Sequence, residues 1–309
     1  MRSSLYRNGA VLTRRDRDGS DGGRVGVDLA PQDVGVVNAR DLAGDDYRTL
    51  ERSGFELLDQ PLLNADIDFF SQEHVVNKYY GECAQIVQDA TGAAKVFAFD
   101  HNVRSAAGKS SAKRISGGQQ VQGPAHVVHG DYTLTSAPQR LRDLTKPPTG
   151  NDTFRALLDD GCTLVASDEA DRALADGGRY AIINVWRNIA DEPVQTNPLA
   201  LCDARSVSPE DLVVFEIHYH DRIGENYFAK HTPQHRWFFY PEMTRDEALL
   251  IKQWDSAGAF ARTAGDHGDA SDAKAPCTFS FHSAFEDPLT PADAPERWSI
   301  EVRCVALYT

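Results

Sequence analysis

The chain has 309 residues, of which 41% are hydrophobic, and its formal net charge at pH 7 is -14. This apolar fraction supplies a folded core and excludes wholesale disorder. The acidic balance argues against a nucleic-acid partner and against docking on an anionic membrane, since both need a basic face. No apolar run approaches the length of a membrane span, and the first residues lack the apolar core of a signal peptide. Five scattered cysteines without C-x-x-C spacing are typical of reduced thiols, so we expect a cytoplasmic protein.

The N-terminal third predicts short strands followed by one helix. Residues 1–45 alternate short apolar runs with charged turns. In residues 66–91 the apolar side chains recur near helical spacing, and Gly92 suits the end of a helix. We expect residues 1–94 to pack as strands and a helix on a core formed by residues 95–309.

The rest of the chain predicts a single β-rich domain. Runs of β-branched and aromatic residues indicate strands at 95–99, 179–187, 212–219, 236–241, 277–285 and 298–308. Residues 247–254 fit either a strand or a helix, and short helices are expected at 151–160 and 169–175. A polar loop at about 105–123 has little to pack, and we expect it to be a mobile lid over an active site. Many strands and few helices predict a mainly β fold with flanking helices, as a sandwich or jelly roll, and no linker divides residues 1–309.

The sequence His129-Gly130-Asp131 is the strongest local sign of chemistry. On a β-strand, residues i and i+2 point to the same face, so the imidazole of His129 and the carboxylate of Asp131 would converge. Together they supply two thirds of the 2-His-1-carboxylate triad associated with non-haem Fe(II) oxygenases. A short H-x-D pattern is common by chance, so a third ligand and a cosubstrate anchor must support it.

Two histidines further along compete to be the third ligand. His282 stands in a run of apolar and small residues, where a lone histidine is usually a core residue. Arg297 and Ser299 change that balance, because a guanidinium and a hydroxyl on one strand face form a good receptor for a carboxylate. An iron-bound 2-oxoglutarate needs such a receptor for its distal carboxylate. His235 is the rival ligand, but no Arg-x-Ser strand follows it.

Several ordered blocks of the chain resemble one family. They are Phe99, Asp100 and His101 with Arg104, and residues 128–133, 184–187, 198–203, 235–241, 246–252, 282–285 and 298–303. These blocks resemble the bacterial and fungal family that includes CmcJ-type cephamycin hydroxylation components, AsaB-type hydroxylases/desaturases and gibberellin desaturases. The resemblance covers roughly residues 95–309. It implies an Fe(II)/2-oxoglutarate-dependent oxygenase on a cupin-like double-stranded β-helix, which uses O₂ to hydroxylate or desaturate a small natural-product or amino-acid-derived substrate.

Within this interpretation, three residues are assigned to the cosubstrate. Arg297 is expected to bind the distal carboxylate of 2-oxoglutarate, and Ser299 to add a hydrogen bond. Tyr132 adjoins the ligands and is expected to touch the cosubstrate. Arg303 shares a strand face with Arg297 by parity, so it is an alternate anchor. No catalytic side chain is expected beyond the metal centre.

Five residues are candidates for the substrate side: Arg187, His101, Arg104, Trp186 and His235. Arg187 lies on an apolar strand, where an unpaired charge is costly, so it binds either a substrate carboxylate or a structural acid. His101 and Arg104 flank the expected lid.

Two other functions stay open from the sequence. One is a cupin-type metal dioxygenase or isomerase that does not use 2-oxoglutarate, and the other is a non-catalytic jelly-roll binding module. The sequence is silent on substrate identity, on the choice between hydroxylation, desaturation and ring closure, and on oligomeric state, where it leaves room for a homodimer.

Overall fold

The computed structural model describes residues 1–5, 10–15, 21–44, 47–149, 152–218 and 223–308. The described strands are β1 Arg2–Ser4, β2 Leu12–Arg15, β3 Asp21–Val25, β4 Leu29–Pro31, β5 Val36–Asn38, β6 Phe55–Asp59, β7 Lys95–Arg104, β8 His129–Gly130, β9 Tyr180–Asn188, β10 Leu199–Cys202, β11 Leu212–His218, β12 Ile223–Ala229, β13 Trp237–Phe239, β14 Glu247–Asp255, β15 His282–Ala284 and β16 Ser299–Leu307. The described α-helices are α1 Gln72–His74, α2 Tyr80–Thr91, α3 Ala106–Ser110, α4 Ser136–Asp143, α5 Ser167–Leu174 and α6 Ala259–Arg262. A π-turn at Val75–Tyr79 joins α1 to α2, and short 3-10 turns lie at Ala39–Asp41, Thr153–Leu157, Ala204–Ser206, Pro209–Asp211 and Asp269–Ser271.

Two large sheets hold most of these strands. In one sheet the described strands run in the order β6-β14-β9-β16-β7, with every neighbouring pair antiparallel. In the other the order is β3-β2-β11-β12-β8-β15-β10-β13-β5, where the β11–β2 and β13–β5 pairs are parallel. The predicted class, mainly β with flanking helices, is confirmed.

The two sheets face each other across an apolar layer and a polar layer. In the apolar layer Trp186 and Leu249 from the first sheet pack with Leu201 and Phe238 from the second. Strand β16 shows the alternation that separates the faces of its sheet. Ile300, Val302 and Cys304 belong to the buried cluster that includes the apolar side chains of α2. Ser299, Glu301 and Arg303 point to the opposite face, towards the second sheet, because Arg303 contacts Asp131 just after β8.

The predicted helix is present, but it begins later than expected. Ser71 caps its start, with its side chain accepting from the backbone N–H of His74, so the predicted start at residue 66 is wrong. The end agrees with the prediction: Gly92 has a φ of +66°, a left-handed conformation that glycine adopts at low cost.

Other element boundaries differ from the sequence-based ones. Residues 247–254 form a strand, and the strand expected at 277–285 is only three residues long, as β15. Strands β6, β10 and β12 were not predicted. Residues 6–9, 16–20 and 45 of the N-terminal segment, residue 151 of a predicted helix and residue 219 of a predicted strand lie outside the described residues.

The segment 105–123 is more closely packed than its composition suggests. It contains α3, and the side chains of Ile115 and Val121 are buried. Gly108 lies where a Cβ would meet the ring of Trp298 at 2.6 Å. The expectation that this segment has little to pack is therefore wrong.

Among the described residues, no helix combines the length and the apolarity that crossing a bilayer requires.

Candidate metal centre

The antiparallel pairing of β8 with β15 brings two histidines together. His129 and His282 are direct partners in this register. Their ring centroids lie 4.3 Å apart, with the ring planes tilted by 48°. Since β15 also pairs with β10, His282 lies within the sheet and only 4% of its surface is exposed.

Asp131 completes the group from a bend just after β8. Its Oδ1 lies 3.7 Å from Nε2 of His129. One ligand atom from each of His129, Asp131 and His282 lies within 4.8 Å of the other two. Among the described residues, these three form the cluster of histidine, cysteine or acidic side chains that could hold a metal ion. The strand ends at Gly130, so the convergence comes from the bend and not from the strand alternation that the sequence suggested.

The two imidazoles are in the form that binds metals. Nδ1 of His129 lies 2.7 Å from the carbonyl oxygen of Val127, so this nitrogen carries the proton and Nε2 presents its lone pair. Burial, and after it the neighbouring His282, lowers the pKa of His129 to about 4. Burial also lowers the pKa of His282. Both rings are therefore neutral at pH 7, as metal ligation requires.

Three side chains from the first sheet hold Asp131, two by its carboxylate and one by its backbone N–H. Its Oδ2 accepts hydrogen bonds from Nε of Arg303 at 3.1 Å and from Nδ2 of Asn184 at 3.2 Å. Its backbone N–H donates to Oε1 of Gln253 at 3.2 Å. Burial alone would raise the pKa of Asp131, but the charge of Arg303 is the largest of several opposing effects that hold this pKa below its usual range. The site therefore keeps a charged carboxylate ready for a cation.

Arg303 is engaged with acids on three sides. Besides Asp131, its guanidinium contacts Oδ2 of Asp100 at 2.9 Å and Oε1 of Glu301 at 3.2 Å. A guanidinium paired in this way has no free edge for an incoming acid, so the suggestion that Arg303 is an alternate anchor for 2-oxoglutarate is corrected.

Ser299 is the first residue of β16, Arg297 lies two residues before it, and both are buried. Nη1 of Arg297 donates to the backbone carbonyl of Asn197. Within the described part of the chain, Nε of Arg297 and Oγ of Ser299 have no hydrogen-bond partner. Burial, followed by the charge of Arg104, lowers the pKa of Arg297 to about 9. Two unsatisfied buried donors two residues apart are costly unless a ligand bonds to them.

Two further predicted residues, Trp186 and Arg104, lie beside Arg297 and Ser299, and a third, Tyr132, lies beside Asp131. Trp186 stacks near the Arg297 guanidinium, whose carbon lies 5.8 Å from the ring centre. Arg104 is the cross-strand partner of Ser299 and donates to the carbonyl of Gly123 at 3.0 Å. Tyr132 follows Asp131 directly, and burial raises its pKa to about 12.

Three other predicted residues are placed elsewhere. Arg187 faces α2, where Nε donates to the hydroxyl of Tyr79 at 2.8 Å and Nη2 lies 3.6 Å from Glu82. Arg187 thus forms a buried structural ion pair with Glu82, which is the second of the two roles that the sequence left open for it. Its assignment to the substrate is corrected.

His101 and His235 are also held away from the three ligands. Nδ1 of His101 lies 2.8 Å from the hydroxyl of Tyr80 on α2. Nε2 of His235 lies 3.1 Å from Oδ2 of Asp211, next to Trp237. His101 is the cross-strand partner of Val302, which packs with α2, and neither His101 nor His235 belongs to the group of three ligands that the described residues form. Their assignment to the substrate side is corrected, and so is the idea of His235 as a rival ligand.

Sequence reasoning missed Asn184 and Gln253. Asn184 belongs to one of the blocks that carry the family resemblance, and an amide in an otherwise apolar strand could have marked it. Gln253 lies at a register shift between β14 and β9, where an extra residue redirects a side chain. Such a bulge leaves no sign in residue alternation, so no sequence signal could have found Gln253.

Comparison with known proteins places this geometry in a family. Residues 12–307 match the model of a family described as an oxidoreductase/YMDC permease-like domain. The "Uncharacterized protein in dcmA 3'region" of Methylophilus leisingeri is 42% identical over 189 residues, which cover 61% of this chain and 86% of that protein. A fungal protein named alpha-ketoglutarate-dependent dioxygenase phiK is 30% identical over 295 residues, which cover 93% of this chain and 87% of the relative.

A solved structure shares the fold. The iron and alpha-ketoglutarate-dependent endoperoxidase NvfI superposes with a TM-score of 0.75 at 23% identity, covering 99% of this chain and 96% of that one. By the match of residues 12–307, and by the identity to a dioxygenase along most of both chains, this protein belongs to a family of oxidoreductases that includes alpha-ketoglutarate-dependent dioxygenases.

Proposed function

We propose that this protein is an Fe(II)- and 2-oxoglutarate-dependent oxygenase that hydroxylates or desaturates a small natural-product or amino-acid-derived substrate. The observation that carries the proposal is the pair of buried donors without a partner among the described residues, Nε of Arg297 and Oγ of Ser299. Ser299 lies on the face of β16 from which Arg303 bonds to the candidate ligand Asp131. A metal site alone fits many enzymes. A metal site beside a buried receptor for a carboxylate fits one that binds an acidic cosubstrate.

His129, Asp131 and His282 would hold the iron. Two neutral imidazoles and one charged carboxylate form the donor set of non-haem Fe(II) oxygenases, which leaves coordination positions open. When bound, Fe(II) with 2-oxoglutarate and O₂ would supply the oxidising chemistry, in which the cosubstrate gives succinate and CO₂ and the substrate loses hydrogen from a C–H bond.

The side chains of this chain bind and orient. Arg297 would bind the distal carboxylate of 2-oxoglutarate through Nε, with Ser299 donating a second hydrogen bond through its hydroxyl. Trp186 limits the space beside that guanidinium, and its ring helps to exclude water. Arg104 is another cation near the ligands, where its charge acts on His129 and His282, and it would bind an anionic group of the substrate or the cosubstrate. Tyr132 keeps its proton at neutral pH and can donate it in a hydrogen bond.

The domain organisation is part of the proposal. Residues 1–309 would form one oxygenase domain, in which residues 1–94 pack on a cupin-like jelly-roll core of residues 95–309. The two facing sheets, with the ligands between them, support this arrangement. Segment 105–123 would cover the site. It follows Arg104 directly, and Glu296, the neighbour of Arg297, accepts hydrogen bonds from the backbone N–H groups of Ala106 and Ala107. A homodimer and a cytoplasmic location stay predictions.

One experiment tests the function through binding. Anaerobic addition of Fe(II) and then 2-oxoglutarate should produce the weak visible charge-transfer band that the family resemblance implies. His282→Ala should abolish the band. His235→Ala is the matched control, because His235 is a similarly buried histidine bonded to Asp211, and this variant should keep it.

The outcomes separate the alternatives. A protein that binds Fe(II) but gives no band with 2-oxoglutarate would be a cupin-type metal enzyme of another kind. A protein that binds no Fe(II), with His282→Ala indistinguishable from the wild type, would be a binding module.

A further inference from the structure

The two carboxylate oxygens of Asp131 have different surroundings. Oδ2 accepts from Nε of Arg303 at 3.1 Å and from Nδ2 of Asn184 at 3.2 Å, and Nη2 of Arg303 also lies 3.1 Å from it. Oδ1 points towards the histidines, 3.7 Å from Nε2 of His129. The first sheet therefore takes up one oxygen and leaves the other for the site.

Arg303 is itself fixed in place. Nη1 donates to Asp100 at 2.9 Å and Nη2 to Glu301 at 3.2 Å, so acids meet the guanidinium along several edges. Asp100 lies directly opposite Arg303 in the pairing of β16 with β7, and the register shifts just beyond this pair. A planar guanidinium held in this way cannot rotate to follow Asp131, so Asp131 must keep the orientation that Arg303 imposes.

We infer that Arg303 and Asn184 are positioning residues that make Asp131 a one-oxygen ligand. By occupying Oδ2, they prevent the carboxylate from chelating the metal through both oxygens, and they turn Oδ1 to the position shared with the two imidazoles. The backbone bond from Asp131 to Gln253 fixes the same turn of chain. This inference rests on the proposed function, since it concerns the ligand set of that metal site. Its consequence is that one coordination position is kept open for the chelating cosubstrate.

The experiment measures metal binding, with Co(II) as the probe and no turnover. Arg303→Met should weaken Co(II) binding about 10- to 100-fold, the usual cost of removing a partner that orients a metal ligand. The visible spectrum of bound Co(II) should also change, because a released carboxylate can take up the metal through both oxygens. Arg303→Lys should recover only part of the affinity, since one ammonium group cannot replace the several N–H donors of the planar guanidinium.

Arg187→Met is the matched control. Arg187 is an arginine of the same sheet, fully buried where the Arg303 side chain is 13% exposed, but it faces α2 and pairs with Glu82. Its loss should lower the melting temperature while the Co(II) affinity and spectrum stay as in the wild type. If Arg303→Met does not fold, Asn184→Ala removes the other bond to Oδ2 and should weaken Co(II) binding several-fold.

Three results bear on the inference. Weaker binding with an altered spectrum in the folded Arg303 or Asn184 variant, and not in Arg187→Met, supports it. Unchanged affinity and spectrum in Asn184→Ala and in a folded Arg303→Met or Arg303→Lys would overturn it and leave Arg303 a structural ion pair. A wild-type protein without Co(II) affinity would instead refute the proposed metal site.

Discussion

Replacing Arg297 should separate the stability of the protein from its affinity for 2-oxoglutarate. Arg297 is buried, its Nε has no hydrogen-bond partner among the described residues, and its pKa is lowered to about 9 by burial and by Arg104. The folded protein therefore holds this cation at a cost that an anionic ligand would relieve. Arg297→Met keeps most of the side-chain volume and removes the charge.

The magnitude follows from the bonds that a carboxylate would make there. Losing one partner of a buried, charged hydrogen-bonded pair costs about 2–5 kcal/mol of binding. A middle value of about 3 kcal/mol corresponds to about a hundredfold rise in the Kd of 2-oxoglutarate, at about 1.4 kcal/mol per tenfold. Ser299→Ala removes one hydrogen bond to a charged group, about 1.5 kcal/mol, and should raise the Kd about tenfold.

The assay is an anaerobic titration of the Fe(II)-loaded protein with 2-oxoglutarate, paired with urea unfolding of the metal-free protein. Arg297→Met should be at least as stable as the wild type without ligand, because an apolar residue replaces an unpaired buried charge. Arg262→Ala is the control: this arginine is half exposed and pairs with Asp272, so neither measurement should move. An Arg297→Met protein that binds 2-oxoglutarate within threefold of the wild type would refute the receptor.

Three further predictions follow from other contacts. Glu82→Ala removes the acid that lies 3.6 Å from the buried Arg187, so the free energy of unfolding in urea should fall by about 3 kcal/mol while the Co(II) affinity is unchanged. A loss of metal binding in the folded variant would contradict the placement of Arg187. Burial lowers the pKa of His129 to about 4 and also lowers the pKa of His282, so protons compete with the metal for these rings only below the ordinary histidine pKa of 6.5. The Kd of Co(II) should therefore stay flat from neutral pH past pH 6.5 and rise only in more acid solution, and a rise already near pH 6.5 would show unperturbed histidines. Glu296→Ala removes the acceptor for the backbone N–H groups of Ala106 and Ala107 at the start of α3. Limited proteolysis should then cut segment 105–123 faster than in the wild type. An unchanged rate would show that this contact does not hold the segment.

Elements with a strong local pattern could be predicted from the sequence. The end of the helix at Gly92 and the strands β9 and β16 follow from helical spacing and from dense β-branched runs. Strand β15 could not be bounded in this way, because the apolar residues before His282 are buried in the core without strand pairing. Burial selects apolar residues whether or not a strand forms, so a run of them does not define where pairing begins.

Within the candidate site, the sequence predicted the metal-ligand residues but not the side chains that surround them. The order of His129, Asp131 and His282 along the chain predicted three side chains whose ligand atoms lie within 4.8 Å of one another. The side of the sheet to which Arg187 points was not predictable, since in a fully buried strand an arginine can point to either face if a partner there accepts its hydrogen bonds. The acid that pairs with it comes from α2, far away in sequence.

The sequence by itself determined the chemical inventory: an acidic chain, a mainly β class, an H-x-D pair, a distant histidine and an Arg-x-Ser pair. These depend on residue types and short spacings, which act locally. Only the tertiary structure decided that His282 and not His235 joins His129, because the register of β8 with β15 sets that pairing. Only the tertiary structure placed Arg303 on Asp131, because two register shifts in one sheet bring Asp100 and Gln253 to the same level as that carboxylate. Contacts between residues more than a hundred positions apart depend on packing, which no local pattern encodes.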